Sequence, residues 1–155
     1  MISINAIFFI SMSDKSYSVK LTNWAVHRDE ISLIRRQVFI DEQNVPEDME
    51  WDGLDEEAVH VIAINNQNKI TGTGRLLHTG QIGRMAVLKD ERNKGIGGDM
   101  LKLLIKYASD NQIFPLFLHA QLSAVDFYKR YGFKETGGIF DDANIPHCKM
   151  IHSSG

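Results

Sequence analysis

The chain has 155 residues, of which 43% are hydrophobic and 24% are charged, and it carries a formal net charge of −3 at neutral pH. This length and composition predict one globular domain that buries a hydrophobic core of its own. The slightly acidic balance argues against nucleic acid as the main partner, and no apolar run is long enough to cross a membrane. Because Cys148 is the only cysteine, the chain cannot form an internal disulfide, which is compatible with a cytoplasmic location.

The N-terminal residues are expected to lie outside the domain. The apolar run at residues 7–10 is short and lacks the preceding basic residues of a secretory signal. Met12, followed by Ser13 and Asp14, is a plausible alternative start of the chain. We therefore expect an extension or loose tail over residues 1–16 and a single domain over residues 17–152.

Hydrophobic periodicity predicts the elements of the first half of the chain. Residues 18–22 alternate as in a strand, and residues 28–40 carry apolar side chains at helical spacing. The acidic segment 41–57 has no period, so we expect a long loop with room for one helical turn. Strands are then predicted at residues 60–64 and 69–78, joined as a hairpin by a turn rich in asparagine.

The second half predicts strands alternating with helices. A strand at residues 81–88 precedes a helix at 98–109, and a short central strand follows at 116–120. A helix capped by Ser123 is expected to end at Gly132, with the last strands starting at residue 133 and ending near residue 151. The order β-α, three strands, then α-β-α-β-β indicates a mixed α/β sheet with helices on both faces.

The most informative segment is a glycine-rich loop at residues 92–98, between a strand and a helix. Backbone amides at a helix N-terminus, with Arg92 and Lys94 beside them, suit an anionic phosphate. Side chains in place of Gly95 or Gly97 would keep a phosphate away from these amides. A P-loop is excluded because no GxxxxGK string exists, and the dinucleotide fingerprint fails because Met100 stands where glycine is required. A tight strand-to-helix turn without a ligand remains an alternative.

Two segments carry a resemblance to a known family. Arg92, Gly95 and Gly97 match the Gln/Arg-x-x-Gly-x-Gly/Ala signature of the GNAT N-acetyltransferases. Residues 124–133, AVDFYKRYGF, are similar to the A-x-x-F-Y-x-x-x-G-F helix of the same family. Further segments, from residue 36 to residue 147, resemble the ElaA-like branch, so that the resemblance extends over residues 19–151.

The resemblance implies a GNAT fold, which is an α/β fold. Its central sheet is mixed and mostly antiparallel, with helices on both faces and a splayed parallel strand pair at the acetyl-CoA site. It also implies acetyl-CoA as co-substrate, with the pyrophosphate on the loop and the pantetheine arm along the preceding strand. The cofactor-binding residues implied are Met85, Ala86, Val87, Arg92, Asn93, Lys94, Gly95, Ile96, Gly97, Gly98 and Gln121. Gln121 stands where many members carry asparagine.

The catalytic roles are assigned partly by resemblance and partly by residue chemistry. Tyr128 falls where the family places the general acid that reprotonates the thiolate, and the N–H near Val87 is implied for the developing oxyanion. An alkylammonium must lose a proton before it attacks, and Glu42, His119 and His147 are the candidate bases. Each has an ordinary alternative, as a solvated carboxylate or as a structural or loop imidazole.

The acceptor side is expected to include Arg84, His119 and His147. Arg84 could orient an acceptor carboxylate or pair with Glu42, and the two interpretations are equally favoured. The acidic residues 47–57 are expected to form a solvated loop that could attract a cationic acceptor. No metal is expected, because the histidines lack the spacing of a zinc site.

The leading hypothesis is an acetyl-CoA-dependent N-acetyltransferase that moves an acetyl group to a primary amine of a small molecule or peptide. Direct transfer in a ternary complex would need no protein nucleophile. A non-catalytic acyl-CoA-binding sensor is the alternative, and a protein that binds ATP or NAD through the same loop is a third hypothesis. A homodimer is compatible with the sequence, whereas nucleic acid and membrane are not expected partners.

Overall fold

A single sheet forms the centre of the computed structural model, which describes residues 15–153. Its strands are β1 (Tyr17–Thr22), β2 (Val59–Asn65), β3 (Ile70–Leu76), β4 (Gln81–Val87), β5 (Phe117–Gln121), β6 (Phe133–Asp142) and β7 (Ile145–His152). Their spatial order is β1-β2-β3-β4-β5-β7-β6. All neighbouring strands are antiparallel except β4 and β5, which are parallel. The predicted mixed and mostly antiparallel sheet is confirmed. The expected tail lies almost wholly outside the described residues.

Four helices accompany the sheet in the described part of the chain. They are α1 (Trp24–Arg35, continued by the π-helical segment Arg36–Glu42), α2 (Glu47–Glu50), α3 (Ile96–Asp110) and α4 (Val125–Lys129). The predicted order of elements is confirmed, and α2 is the helical turn foreseen in the acidic segment. Within residues 15–153, no helix combines the length and apolar character needed to cross a membrane.

Two helix starts differ from the sequence-based prediction. Helix α1 begins at Trp24 because the side chain of Asn23 accepts a hydrogen bond from the Val26 backbone N–H at 3.0 Å. The expected cap Ser123 is wrong: it lies in a short 3₁₀ turn, and α4 starts after Ala124 without a side-chain cap. The start of each helix therefore depends on local backbone geometry, which the spacing of hydrophobic residues does not predict.

The core is divided between the two faces of the sheet. On one face, Leu101, Leu104 and Ala108 of α3 pack in a cluster that includes Val61 of β2 and Met150 of β7. All five are fully buried. The other face carries a smaller cluster of buried residues, formed by Ile34, Val38 and Ala86. Helices on both faces thus hold the sheet from both sides, as the sequence predicts.

Strands β4 and β5 pair over a very short distance. Their only register pairs are Gln81–Phe117 and Ile82–Leu118. Gly80 starts this pairing, since its carbonyl accepts the Phe117 N–H at 3.1 Å. A Cβ at Gly80 would stand 2.0 Å from a backbone oxygen, so only glycine fits there. Beyond Ile82 the two strands separate, and a wedge opens in the sheet.

A bulge in β4 accompanies this separation. Thr73 and Arg75 of β3 face Ala86 and Gly83, so β4 carries one extra residue between them. Arg84 lies in this bulge with φ of 52°, in the left-handed region that non-glycine residues seldom adopt. The bulge redirects the Arg84 side chain at the point where the wedge begins.

Candidate active site

A cavity of about 880 Å³ occupies the wedge between β4 and β5. That volume lies in the range of small-molecule and cofactor sites. Its walls come from β4, the glycine-rich loop, the start of α3, α4, the end of α1, and strands β5 and β7. Of the residues predicted to form the site, those that line it are Arg84, Met85, Ala86, Val87, Arg92, Asn93, Gly95, Ile96, Gly97, Gly98, His119, Gln121, Tyr128 and His147.

The glycine-rich loop presents backbone amides at one end of the cavity. Asn93 and Gly95 both adopt positive φ, of 64° and 93°, and the helix follows directly from Ile96. No side chain caps this helix, so its first amides keep their hydrogen-bonding capacity for a ligand. A Cβ at Gly98 would lie 2.0 Å from the Tyr131 hydroxyl, which explains the glycine there. The loop therefore fits an anionic phosphate group.

The two cations of the loop are paired with carboxylates rather than left free for a ligand. The Arg92 guanidinium holds both carboxylate oxygens of Glu42, at 2.7 and 2.8 Å, and its Nε donates to the Val87 carbonyl at 2.9 Å. Lys94 pairs with Glu91 at 2.8 Å and does not line the cavity. These side chains brace the loop, so its affinity for an anion rests mainly on the backbone amides.

The geometry of Glu42 disfavours the role of base proposed from the sequence. The hydrogen bonds from Arg92 lower the pKa of the Glu42 carboxyl, against an opposing effect of burial. Glu42 is also not among the residues lining the cavity. A carboxylate held at both oxygens and turned away from the cleft is a poor proton acceptor there.

Tyr128 and Gln121 lie where the resemblance implies a CoA contact. Tyr128 packs against Phe127 and Phe133, with ring centroids 5.1 and 6.0 Å away. Burial raises the pKa of its phenol to about 12, so it stays protonated at neutral pH. Gln121 donates to the side chain of Gln43 at 2.8 Å, across the cleft from β5 to the end of α1. Gln43 was not identified from the sequence.

Two imidazoles line the side of the cavity formed by β5 and β7. His119 lies edge-on to Phe140 at 5.2 Å. Burial lowers its pKa; Asp142 opposes this effect, and Lys149 and His147 add to it. Its ring is therefore neutral at pH 7 and free of a fixed charge. His147 is 8% exposed, and its Nδ1 lies 2.6 Å from the Ile145 carbonyl oxygen. The structure brings both predicted histidines to the cavity.

The acidic segment does not form the solvated loop that the sequence predicts. Three of its carboxylates, Glu50, Asp52 and Asp55, turn inward and pair with arginines. The fully buried Arg35 donates to Glu50 Oε2 at 2.7 Å and to Asp55 Oδ1 at 2.6 Å. Burying this guanidinium requires such partners, and the segment supplies them.

Two further arginines complete this buried cluster. Arg75 contacts Asp52 at 2.8 Å and Asp55 at 3.0 Å. Arg84 contacts Glu50 at 3.1 Å and Asp52 at 3.2 Å, so the Arg84–Glu42 pair, one of the two alternatives for Arg84, does not form. Burial of Asp52 tends to raise its pKa. Hydrogen bonds from Arg75 and from the Leu54 N–H, together with the charges of Arg75 and Arg84, outweigh burial and lower the Asp52 pKa to about 2. The six-residue ion cluster is Arg35, Glu50, Asp52, Asp55, Arg75 and Arg84.

One signal for this cluster is visible in the sequence. Arg35 falls four residues after Ile31, which puts a charge on the apolar face of α1. A charge at a core position needs a buried counterion, and the nearby acidic segment was the obvious source.

Among the described residues, no group of three histidine, cysteine or acidic side chains could hold a metal ion.

The fold and cleft are those of an acyl-CoA N-acyltransferase, and comparison with known proteins identifies the family. The family model described as the acetyltransferase (GNAT) domain matches residues 18–153, so the chain belongs to the GNAT acetyltransferases. The chain is 38% identical over 122 residues to the uncharacterised N-acetyltransferase YjcF of Bacillus subtilis (strain 168), covering 76% of this chain and 86% of YjcF.

The resemblance to ElaA is confirmed by the sequence comparison, and the solved ElaA structure shares the fold. Protein ElaA of Escherichia coli (strain K12) is 25% identical over 141 residues, covering 81% of this chain and 92% of ElaA. Its crystal structure has a TM-score of 0.79 at 21% identity, covering 88% of this chain and 99% of that one. An acyl-CoA N-acyltransferase from Pseudomonas aeruginosa also gives 0.79, at 26% identity, covering 89% of this chain and all of the other.

One structural neighbour was solved with a bound ligand. It is described as a putative streptothricin acetyltransferase from Bacillus anthracis str. Ames in complex with acetyl coenzyme A. Its TM-score is 0.53 at 19% identity, and the match covers 62% of each chain. At this identity the likeness concerns the fold alone.

Removing the central arginine of the ion cluster should destabilise the protein strongly. Arg35→Met leaves Glu50 and Asp55 without their shared cation, and we expect a loss of about 3–5 kcal/mol in the free energy of unfolding. Chemical denaturation measures it. The matched control is Arg36→Met, which breaks an exposed pair with Glu47 and a contact with the Trp51 ring, and should change stability far less. Equal losses for the two variants would contradict the account of the cluster.

Proposed function

We propose that this chain is an acetyl-CoA-dependent N-acetyltransferase that acetylates a primary amine of a small molecule or peptide by direct transfer. The observation that carries the proposal is that an open sheet edge and an uncapped helix N-terminus line the same cavity. The open edge of β4 can pair with an amide-bearing chain, and the N-terminus of α3 can bind a phosphate. Membership of the GNAT family supports the same cofactor.

The proposed cofactor site follows the wall of the cleft. Beyond Ile82 the edge of β4 that faces β5 has no strand partner, so residues 85–87 offer backbone groups to the pantetheine arm. Within that stretch the Val87 carbonyl is already engaged by Arg92. The amides of residues 95–98 would take the pyrophosphate. When bound, acetyl-CoA supplies the activated thioester.

Tyr128 would assist the departing sulfur. A thiol has a pKa of about 8.5, whereas burial raises the Tyr128 pKa to about 12, so the phenol is the weaker acid of the two. It therefore stabilises the sulfur by hydrogen bonding, and passes its proton on as the attacking nitrogen returns one to the phenol oxygen. This relay leaves Tyr128 neutral before and after transfer.

The lone cysteine supports direct transfer rather than an acyl-enzyme. Cys148 is 3% exposed, and burial raises the pKa of its thiol. A protonated thiol on the core side of β7 is a poor nucleophile. The acceptor would instead enter beside His119, His147 and Arg84, which line the same cavity as the glycine-rich loop.

The experiment that tests this function is a thiol-release assay. Purified protein is incubated with acetyl-CoA and a panel containing a primary alkylamine, an amino sugar, a polyamine and a lysine peptide. Amine-dependent release, with the acetylated product confirmed by mass spectrometry, is the expected result. Saturable CoA binding with no acetylated product from any amine would favour the acyl-CoA sensor instead.

Gly97→Ala separates cofactor binding from stability. A Cβ at Gly97 makes only an ordinary contact, 3.5 Å from Phe127, and alanine favours helix over glycine by roughly 1 kcal/mol. We expect unchanged or higher stability, because the residue is in the first turn of α3. We also expect weaker CoA binding, measured by calorimetry, because the methyl group crowds the open amides. Unaltered affinity would contradict the proposed phosphate position.

Tyr128→Phe tests the proton relay. The variant keeps the aromatic packing and removes the hydroxyl, so we expect kcat to fall by about 100-fold or more with little change in CoA affinity. Because the phenol pKa is about 12, Tyr128 keeps its proton at pH values well below 12. Wild-type kcat should therefore not fall there through ionisation of Tyr128. Tyr107→Phe, outside the cavity lining, is the control. Full activity of Tyr128→Phe across pH would refute the role.

A further inference from the structure

We infer that Glu50, rather than Glu42, is the carboxylate that accepts a proton from the acceptor ammonium. This inference rests on the proposed function and adds the identity of its base. Glu50 is the last residue of α2, is 3% exposed, and lines the cavity. It is the most deeply buried carboxylate that lines it, and no motif of the sequence singled it out.

The two oxygens of Glu50 have different surroundings. Oε2 takes the hydrogen bond from Arg35 at 2.7 Å and lies 3.1 Å from the Nε of Arg84. Oε1 accepts no hydrogen bond from any described residue, yet it is not sealed from solvent as the Arg84 Nε is. The carboxylate is therefore fixed through one oxygen, and the other is left for a group in the cavity.

The position of Glu50 suits an acceptor approaching the cofactor strand. Its backbone carbonyl accepts from Arg84 Nη2 at 3.1 Å, which ties α2 to the bulge in β4. Arg84 is one residue before Met85, where the unpaired edge proposed for the pantetheine arm begins. An amine bound in the cavity beside Arg84 thus meets a carboxylate oxygen on one side and the cofactor strand on the other, directly or through one water.

The charges around Glu50 set its proton affinity. Burial raises the pKa of the Glu50 carboxyl, while Arg84, Arg35 and Arg75 act in the opposite direction. The net shift is upward, so the group is a better proton acceptor than an exposed glutamate. The charged and titratable groups packed around it from α1, the acidic segment, β2, β3 and β4 are Arg35, Asp52, Asp55, His60, Arg75 and Arg84.

The proton balance of the step is simple. One N–H bond of the acceptor ammonium breaks and its proton goes to Glu50 Oε1. The freed electron pair forms the bond to the thioester carbonyl carbon, and the C=O π pair moves onto the oxygen. When that pair re-forms the carbonyl, the carbon–sulfur bond breaks; the sulfur takes the Tyr128 proton, and the nitrogen gives its second proton to the phenol oxygen. Glu50 returns the first proton to solvent before the next turnover.

The test compares Glu50→Gln with Asp55→Asn. Asp55 is another buried carboxylate of the same ion cluster, also bonded to Arg35, but it does not line the cavity. Both variants remove one negative charge from the cluster, so a purely structural role predicts similar losses. The acceptor is the panel amine that wild type acetylates fastest. The ratio kcat/KM is measured from about pH 6 to about pH 10, so that the upper end approaches the amine pKa.

We expect Glu50→Gln to lower kcat/KM at pH 7 by about 100-fold or more, with Asp55→Asn much closer to wild type. In Glu50→Gln, kcat/KM should instead rise with pH throughout this range, because only the neutral fraction of the amine reacts. Its deficit should also shrink as pH rises toward the amine pKa of about 10.4, because a neutral amine needs no base. Equal profiles for the two variants, or a deficit independent of pH, would overturn the inference and leave the proposed function standing.

A second variant covers the case in which Glu50→Gln fails to fold. Glu50→Asp keeps the charge that Arg35 requires but withdraws the free oxygen by one methylene. A folded Glu50→Asp with reduced kcat and a retained acid limb supports the inference, and wild-type rates in it overturn the inference. A wild-type protein that acetylates no amine in the panel overturns the proposed function, and this inference with it.

Discussion

The parallel pairing of β4 with β5 ends after two residue pairs, and the rest of the cleft depends on that termination. A strand edge inside a sheet normally satisfies its backbone groups through the neighbouring strand. Past Ile82 this edge has no such partner, so the space beside it is open to a molecule that can supply hydrogen bonds. The glycine-rich loop and α4 then close the wedge around that space. The absence of a few backbone bonds thus creates the site.

The ion cluster fixes the acidic segment beside the wedge. Three arginines and three carboxylates bind the loop after α1 to strands β3 and β4. Burying one of these charges alone would cost several kcal/mol, so the cluster is stable only when every member has its partner. The chain is thereby held in one arrangement near the bulge. Gln43 and Glu50 owe their positions beside the cavity to this restraint.

The sequence was informative wherever the relevant interaction is local or periodic. Strand alternation, helical spacing and the glycine signature predicted the order of elements, the α3 core face and the position of the phosphate-type loop. Tyr128 and His147 were also found at the cavity, because a motif or a neighbouring strand fixed their surroundings.

The sequence was uninformative where an interaction joins distant residues. Arg92 was expected to face a ligand, yet it binds Glu42, which is 50 residues away along the chain. The acidic segment looked solvated because its charges have no periodic pattern, and its partners lie at Arg35, Arg75 and Arg84. Which charge meets which is decided only when the sheet forms, so composition alone could not separate a buried carboxylate from an exposed one.

The ion cluster also limits how this part of the protein can vary among relatives. Any single replacement within it leaves a buried charge uncompensated, so changes there would have to arise in sets that preserve the balance. Met49 and Leu54, exposed on the same segment, carry no such restraint. Divergence should therefore accumulate at the exposed positions of this segment, which would let relatives acquire different acceptors while inheriting the same six charges.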